Sequence, residues 1–393
     1  MGPSFNEQFD QHGVWRREFA QQLKRLADWM ATHDLMDAAV QERLQRLEDQ
    51  VRSDKVMVAF VAEFSRGKSE LINAIFFADY GRRIMPASAG RTTMCPTELG
   101  YDANVAPSLR LLPIETRLQM QSLAEWRVKA DRWHEIPLDV GNADQIAKAL
   151  EKVAEVRKVS LDNARALGFW HDDLTDENPV PDAQGMVEVP MWRHAIINIP
   201  HPLLKQGLVI LDTPGLNAVG AEPELTVNLI PQAHAVVFIL SADTGVTRSD
   251  LSIWREHLAI SPESVEARLV VLNKIDTLWD TLNTAEQVQS QMERQCATSA
   301  EMLGVSLDRV VPVSAQKGLV AKITADDVLL ETSGLPALEE ALAKGIMGRR
   351  QSILRAAVAT GVASLRTETS RVINIRRRDL DDQMAELRSL RGK

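Results

Sequence analysis

The sequence predicts an α/β fold: a P-loop domain on a mainly parallel sheet, plus an α-helical bundle made from the N- and C-terminal segments. Three observations predict it. Short runs of Val, Ile and Leu recur through the middle of the chain and end in polar loops, as strands buried on both faces do. One run leads through Ser65-Arg66-Gly67-Lys68-Ser69 into a helical pattern, the strand–turn–helix of a phosphate-binding loop. Apolar stripes at helical spacing occupy both ends of the chain.

Residues 1–54 carry two such stripes. Trp15, Phe19, Leu23, Leu26 and Met30 form one, and Val40, Leu44, Leu47 and Val51 the other, with a break near Thr32-His33-Asp34. From Arg349 a third stripe runs through Leu354, Val358, Val362, Leu365, Val372, Leu380, Met384 and Leu387. Each stripe needs a partner, so the two ends are expected to pair as an antiparallel bundle. The Arg376-Arg377-Arg378 triplet reads as a solvated face. The expected domains are 1–54, 55–346 and 347–393.

Lys55 to Phe76 organises the central domain. The turn aims backbone N–H groups, including that of Gly67, at one point, and the following helix adds its positive N-terminus. Lys68 is expected to reach the β- and γ-phosphates and Ser69 to hold Mg²⁺. Ala62 stands where the pattern G-x-x-x-x-G-K-[ST] has its first glycine. Alanine tolerates positive φ badly, so the loop is strained if that position needs it.

Residues 81–100 are polar and irregular. A threonine here is expected to complete the Mg²⁺ shell as a γ-phosphate switch. Thr93 is the choice, with Thr92 and Thr97 as near competitors. Short strands are expected over 98–114, helices over 116–134 and 143–167, and an exposed acidic loop over 171–185. Together, 101–186 reads as an insertion.

Residues 187–198 read as extended. The run 207–211 is a buried strand ending in Asp212-Thr213-Pro214-Gly215. A carboxylate at such a strand end faces the ligand crevice, so Asp212 suits the Mg²⁺ shell and the Gly215 N–H the γ-phosphate. Another strand, 235–240, leads to Asp243-Thr244-Gly245 and a helix through Leu251, Trp254 and Leu258. The strand 269–272 runs into Asn273-Lys274-Ile275-Asp276. The Asp276 carboxylate matches guanine N1–H and the 2-amino group, donors that adenine lacks there. The Lys274 stem packs on the base and Asn273 braces the loop. After the last strand, 310–313, come Ser314-Ala315-Gln316-Lys317, where the Ala315 N–H can donate to guanine O6. Each motif is weak alone, but in this order at strand ends they predict a guanine-nucleotide domain.

Bulk properties bound the reading. Net charge is −9 over 393 residues, which argues against nucleic acid as a partner. Two cysteines exclude a disulfide framework and fit a reducing compartment. The first thirty residues do not read as a signal peptide, and no apolar run is long enough to span a membrane.

The segments AEFSRGKSELINAI, MPASAGRTTMCPTELGY, HPLLKQGLVILDTPGLN, LNKIDTLW and SGLPALEEAL give the chain a resemblance to bacterial members of the dynamin superfamily. The resemblance spans most of the chain between its terminal helices. It implies GTP hydrolysis to GDP and phosphate, stimulated when two G domains meet, with Mg²⁺ and a monovalent cation as cofactors. It implies that Ser65 and Thr93 help position the attacking water. It implies self-association, a further dynamin-like partner, and a cytoplasmic protein peripheral to the inner face of a membrane that it remodels or tethers. Several features depart from the family pattern: Ala62, the long insertion, the lack of a hydrophobic membrane paddle, and a length that suggests a shortened or minimal member.

Leu216 follows Asp-Thr-Pro-Gly, so the water-orienting Gln of Ras-like enzymes is absent. Ser65, the Thr93 carbonyl or a group in trans must hold the water. Arg66, beside the phosphates, is a candidate to neutralise developing charge in its own or a facing subunit, although residues there commonly point to solvent. Two alternatives compete. One is a Ras-like ribosome-assembly or RNA-associated GTPase, disfavoured by the acidic charge. The other is a nucleotide-binding scaffold with little hydrolysis, for which Ala62 is the only hint.

Overall fold

The computed structural model describes residues 5–52, 55–63, 65–86, 95–119, 121–172, 178–213, 233–258, 268–279, 284–346 and 350–391. It divides into two compact units, residues 1–55 with 349–393, and residues 56–348.

In the first unit, α1 (Phe5–Thr32), α2 (Ala38–Arg52) and a long C-terminal helix (Arg350–Arg391) share a core. Leu23, Met30, Leu44 and Leu47 meet Val358 and Leu365 there. Gly361 permits the close approach, because a Cβ at that position would lie 2.5 Å from a Leu47 methyl. The predicted stripe is buried only in part. Leu380, Met384 and Leu387 are all more than half exposed. Arg376, Arg377 and Arg378 are exposed, as expected of a solvated face, and Arg376 also donates to the carbonyls of His33, at 3.2 Å, and Asp34. A cation suits those carbonyls, which α1 leaves unsatisfied at its C-terminus.

The second unit opens with β1 (Val56–Ala62) and α3 (Lys68–Ile72), whose path continues as a wider π turn over Asn73–Phe77. Then come β2 (Thr97–Gly100), β3 (Ser108–Pro113), α4 (Leu123–Arg127), β4 (His134–Pro137), α5 (Ala143–Glu151), β5 (Val156–Ser160), α6 (Leu161–Ala166), β6 (Met186–Pro190) and β7 (Trp192–Asn198). Next in the chain are α7 (Pro202–Lys205), β8 (Leu208–Asp212), β9 (Ala235–Ser241), α8 (Arg248–Ile253), β10 (Arg268–Asn273), α9 (Ala285–Leu303) and β11 (Val310–Pro312). The unit closes with α10 (Ala315–Thr324), α11 (Asp327–Thr332) and α12 (Leu335–Glu340).

Nine strands form one sheet in the order β11-β10-β9-β1-β8-β2-β7-β3-β4. The five from β11 to β8 run parallel, so their C-terminal ends share one edge. β2 enters antiparallel to β8, and β3 and β4 extend the sheet antiparallel beyond β7. Phe60, Phe238, Val270 and Leu272 are fully buried, as expected for strands covered on both faces.

The region 116–166 differs from the two helices expected there. α4 is short, and the Trp133 indole donates to the Trp126 carbonyl at 2.9 Å, closing a turn before β4. The stretch 143–167 is a helix, a strand and a helix. β-branched Val156 and Val159 pair β5 with β6, and Val159, Val187 and Val189 bury together in a small separate core. A stripe at helical spacing cannot by itself exclude a short strand within it.

Candidate nucleotide site

Four of the predicted loops leave the parallel edge of the sheet. Register fixes their level: Phe60 lies opposite Asp212, Ala62 opposite Ile239, Asn273 opposite Ser241, and Leu272 opposite Pro312. This is the crevice at the carboxyl ends of strands where open α/β sheets bind ligands.

Ala62 closes β1 in strand conformation and is not among the residues with positive φ, so no strain arises at that position. The left-handed conformation falls instead on Ser65, φ 64°, and Gly67, φ 84°. Gly67 is required twice, by its φ and because a Cβ there would lie 2.4 Å from Asn273 Nδ2. Ser65 is exposed. Lys68 and Ser69 begin α3, and Lys68 Nζ pairs with Asp212 Oδ1.

Asp212 is 1% exposed, and its second oxygen, Oδ2, is buried without a partner among the described residues. Such an acceptor in a dry site calls for a ligand. With the Ser69 hydroxyl at the adjacent helix start, it offers the hard oxygen donors that suit Mg²⁺. Thr213 anchors this strand end, its hydroxyl donating to the Phe60 carbonyl at 2.9 Å.

Asn273 joins the two halves of the site. Its Nδ2 donates to the Arg66 carbonyl at 2.8 Å, and its Oδ1 accepts from the Ala315 N–H at 3.0 Å. The Asp276 carboxylate accepts from the Ser314 hydroxyl at 2.6 Å. Lys274 is left-handed, φ 62°, with Nζ 3.5 Å from Asp243 Oδ2. Gly334, φ 71°, lets the start of α12 press on the Pro312 carbonyl, where a Cβ would sit 2.2 Å away. The Ser314 N–H donates to the Ser333 carbonyl at 2.7 Å in the same place.

Arg66 departs from expectation. It neither lies open beside the phosphates nor points to solvent. Its guanidinium, 7% exposed, bonds Glu63 at 2.5 Å and Asp250 at 2.9 Å. It also reaches the hydroxyls of Thr244 and Thr247. Two carboxylates and two hydroxyls take the donors of the two terminal guanidinium nitrogens. Thr247 and Asp250 form a capping box at the start of α8, a signal the sequence carries in its T-x-x-D spacing. That signal does not reveal the arginine it receives.

Of the threonines weighed for the switch, Thr97 lies in β2 opposite Asp212, its hydroxyl turned to the Cys95 carbonyl at 3.1 Å. Thr92, Thr93 and Gly215 lie outside the described residues. Among the described residues no helix is long and apolar enough to cross a membrane.

Comparison with known proteins identifies a family. A sequence profile of the dynamin family matches residues 58–275. Dynamin-like protein A of Bacillus subtilis is 25% identical over 313 residues, covering 72% of this chain and 24% of that protein. A protein encoded in the xynA 3′ region of Caldicellulosiruptor sp. is 21% identical over 327 residues, covering 83% of this chain. The chain spans only 64% of that relative's length. A solved structure of an oligomerised bacterial dynamin pair, described as sensing and tethering membranes, is 15% identical with a TM-score of 0.49. That similarity covers 96% of this chain and 58% of the other. With the profile running from Val58 in β1 to Ile275 after β10, more than half of the sequence, the chain belongs to the dynamin family and carries its GTPase domain.

Proposed function

We propose that this chain binds GTP and hydrolyses it to GDP and phosphate, and that hydrolysis is stimulated when two copies meet through this domain. The observation that carries the reading is the pair of hydrogen bonds by which Asn273 donates to the Arg66 carbonyl and accepts from the Ala315 N–H. It ties the loop that holds phosphates to the loops that read a base, within one crevice.

In this reading Lys68 and the N–H groups around Gly67 bind the β- and γ-phosphates. Ser69, Asp212 and Thr93 would hold Mg²⁺, which when bound neutralises phosphate charge. The Gly215 N–H contacts the γ-phosphate. Asp276, held by Ser314, accepts from guanine N1–H and the 2-amino group, the Ala315 N–H donates to O6, and the Lys274 stem covers the ring. Ser65 and the Thr93 carbonyl orient the water, with a monovalent cation beside Ser65. A membrane surface at the inner face of the cell membrane, reached in partnership with another dynamin-like chain, is the setting we propose.

Calorimetry is expected to give binding of GTP and GDP and none of ATP. Turnover per subunit should rise with protein concentration, and Lys68→Ala should abolish it. A preference for ATP, or turnover that ignores concentration in a sample dimerised by GDP and aluminium fluoride, would overturn the reading. Sedimentation with anionic liposomes tests the membrane setting separately.

A further inference from the structure

The four-partner cluster around Arg66 is a charged, buried group for which the proposed chemistry has no use. Arg66 belongs to the phosphate loop, but its side chain leaves that loop and enters the loop after β9. There it bonds Thr244 and Thr247 of that loop and Asp250 in the first turn of α8, with Glu63, the residue after β1, closing the cluster. Asp250 is fully buried. Arg66 Nε and Asp250 Oδ1 are both buried without partners among the described residues, whereas Glu63 and Thr247 are half-buried and Thr244 lies exposed at the edge of the cluster.

The loop that receives Arg66 reaches the other end of the site as well. Asp243, one residue before Thr244, accepts from Ser241 at 2.6 Å and faces Lys274 Nζ at 3.5 Å. One short segment, 243–250, therefore touches the phosphate loop at one end and the base-covering lysine at the other. Moving the guanidinium to a γ-phosphate would take the cation away from a fully buried carboxylate and leave it only the N–H and hydroxyl of Thr247, which is costly for a buried charge.

We propose that Arg66 is a positioning residue that clamps the phosphate loop to the loop after β9 and so sets the phosphate and base ends of the site as one body. It does not supply charge to the transition state. This rests on the guanine-nucleotide reading, and the test separates the two.

The test compares wild type, Arg66→Ala, Arg66→Lys, Asp250→Asn and the Ala/Asn double variant, each first checked for folding by its melting curve. A clamp acts on ground-state binding. Arg66→Ala and Asp250→Asn should each weaken GDP and a non-hydrolysable GTP analogue equally, by about tenfold or more, with the rate of bound GTP little changed. The double variant should lose no more than the worse single one, because the pair acts as a unit. Arg66→Lys should recover part of the affinity. A side chain that only supports the fold would lower melting temperature and leave affinity intact, which would overturn the clamp. So would a loss of turnover confined to Arg66→Ala, with GDP affinity kept and Asp250→Asn unaffected, since that marks a charge donor.

Amide exchange on the nucleotide-free protein makes the answer independent of GTP. Arg66→Ala should speed exchange in both 65–69 and 243–250, and no change in the second segment defeats the clamp. Coupled exchange in a wild type that ignores guanine nucleotides would keep the clamp and discard only the functional reading. If Arg66→Ala does not fold, Thr247→Val and Asp250→Asn carry the same comparisons.

Discussion

At the scale of single residues, the site depends on side chains with two obligations. Asn273 holds the phosphate loop with one atom and the Ala315 N–H with the other, both buried. Asn273→Ala removes both bonds and leaves a carbonyl and an N–H unsatisfied, so a loss of about 2–4 kcal/mol is expected from denaturant unfolding. Ser65 is an exposed non-glycine residue held at φ 64°. Ser65→Gly relieves a left-handed strain of about 1–2 kcal/mol against a glycine entropy cost of about 0.5–1 kcal/mol. Stability is therefore expected to hold or rise slightly while turnover falls, because the hydroxyl proposed to orient water is gone. Melting curves and turnover on one sample check both halves. The motif residues were legible in the sequence because backbone geometry demands them locally. The destination of Arg66 was not. Thr244, Thr247 and Asp250 lie some 180 residues away along the chain, and no local spacing links them to it.

At the scale of elements, pairing between non-neighbours sets the pH response. Glu98 on β2 meets Arg127 of α4 and His194 of β7, the latter at 2.9 Å. Burial alone would raise its carboxyl. The charge of Arg127 and the bond and charge of His194 outweigh that and hold it at about 2, against an ordinary 4.5. A carboxyl lowered on folding stabilises fully above about pH 4.5 and loses that contribution as pH falls through 2, about 3 kcal/mol in all. Arg127→Ala should move the acid midpoint upward in a circular-dichroism titration.

His234 titrates in a separate window. Its Nδ1 accepts the Met57 N–H at 2.9 Å, and burial pushes its ring down to about 4 from 6.5. It stabilises in neutral form above about pH 6.5, and this is lost as pH falls through 4. His234→Gln should flatten stability between those values while leaving the Glu98 window in place. The strands behind these contacts were readable as apolar runs. β5 was not, because its valines also fit a helical stripe and only their partners on β6 decide between the two.

For the whole molecule, the two units each bury their own core, the terminal helices around Leu23, Leu47 and Val358, and the sheet unit around Phe238 and Val270. The nucleotide loops all belong to the second. Residues 56–348 alone are expected to bind GDP within about threefold of the full chain, since a domain with its own core keeps its site. Calorimetry on both proteins checks this. The parallel part of the sheet and its loop edge could be read from the order of motifs. The antiparallel entry of β2 could not, because the direction of so short a strand is settled by its pairing with β8 and not by its own residues.

The sheet order has one more consequence, for biogenesis. β1 is made early, yet its neighbours β8 and β9 begin more than 150 residues later. At about 5–20 residues per second, a ribosome leaves this apolar segment without hydrogen-bonding neighbours for roughly 10–30 seconds. Nascent chains of this protein should therefore depend on chaperones through that interval, and slowing translation should reduce the soluble yield.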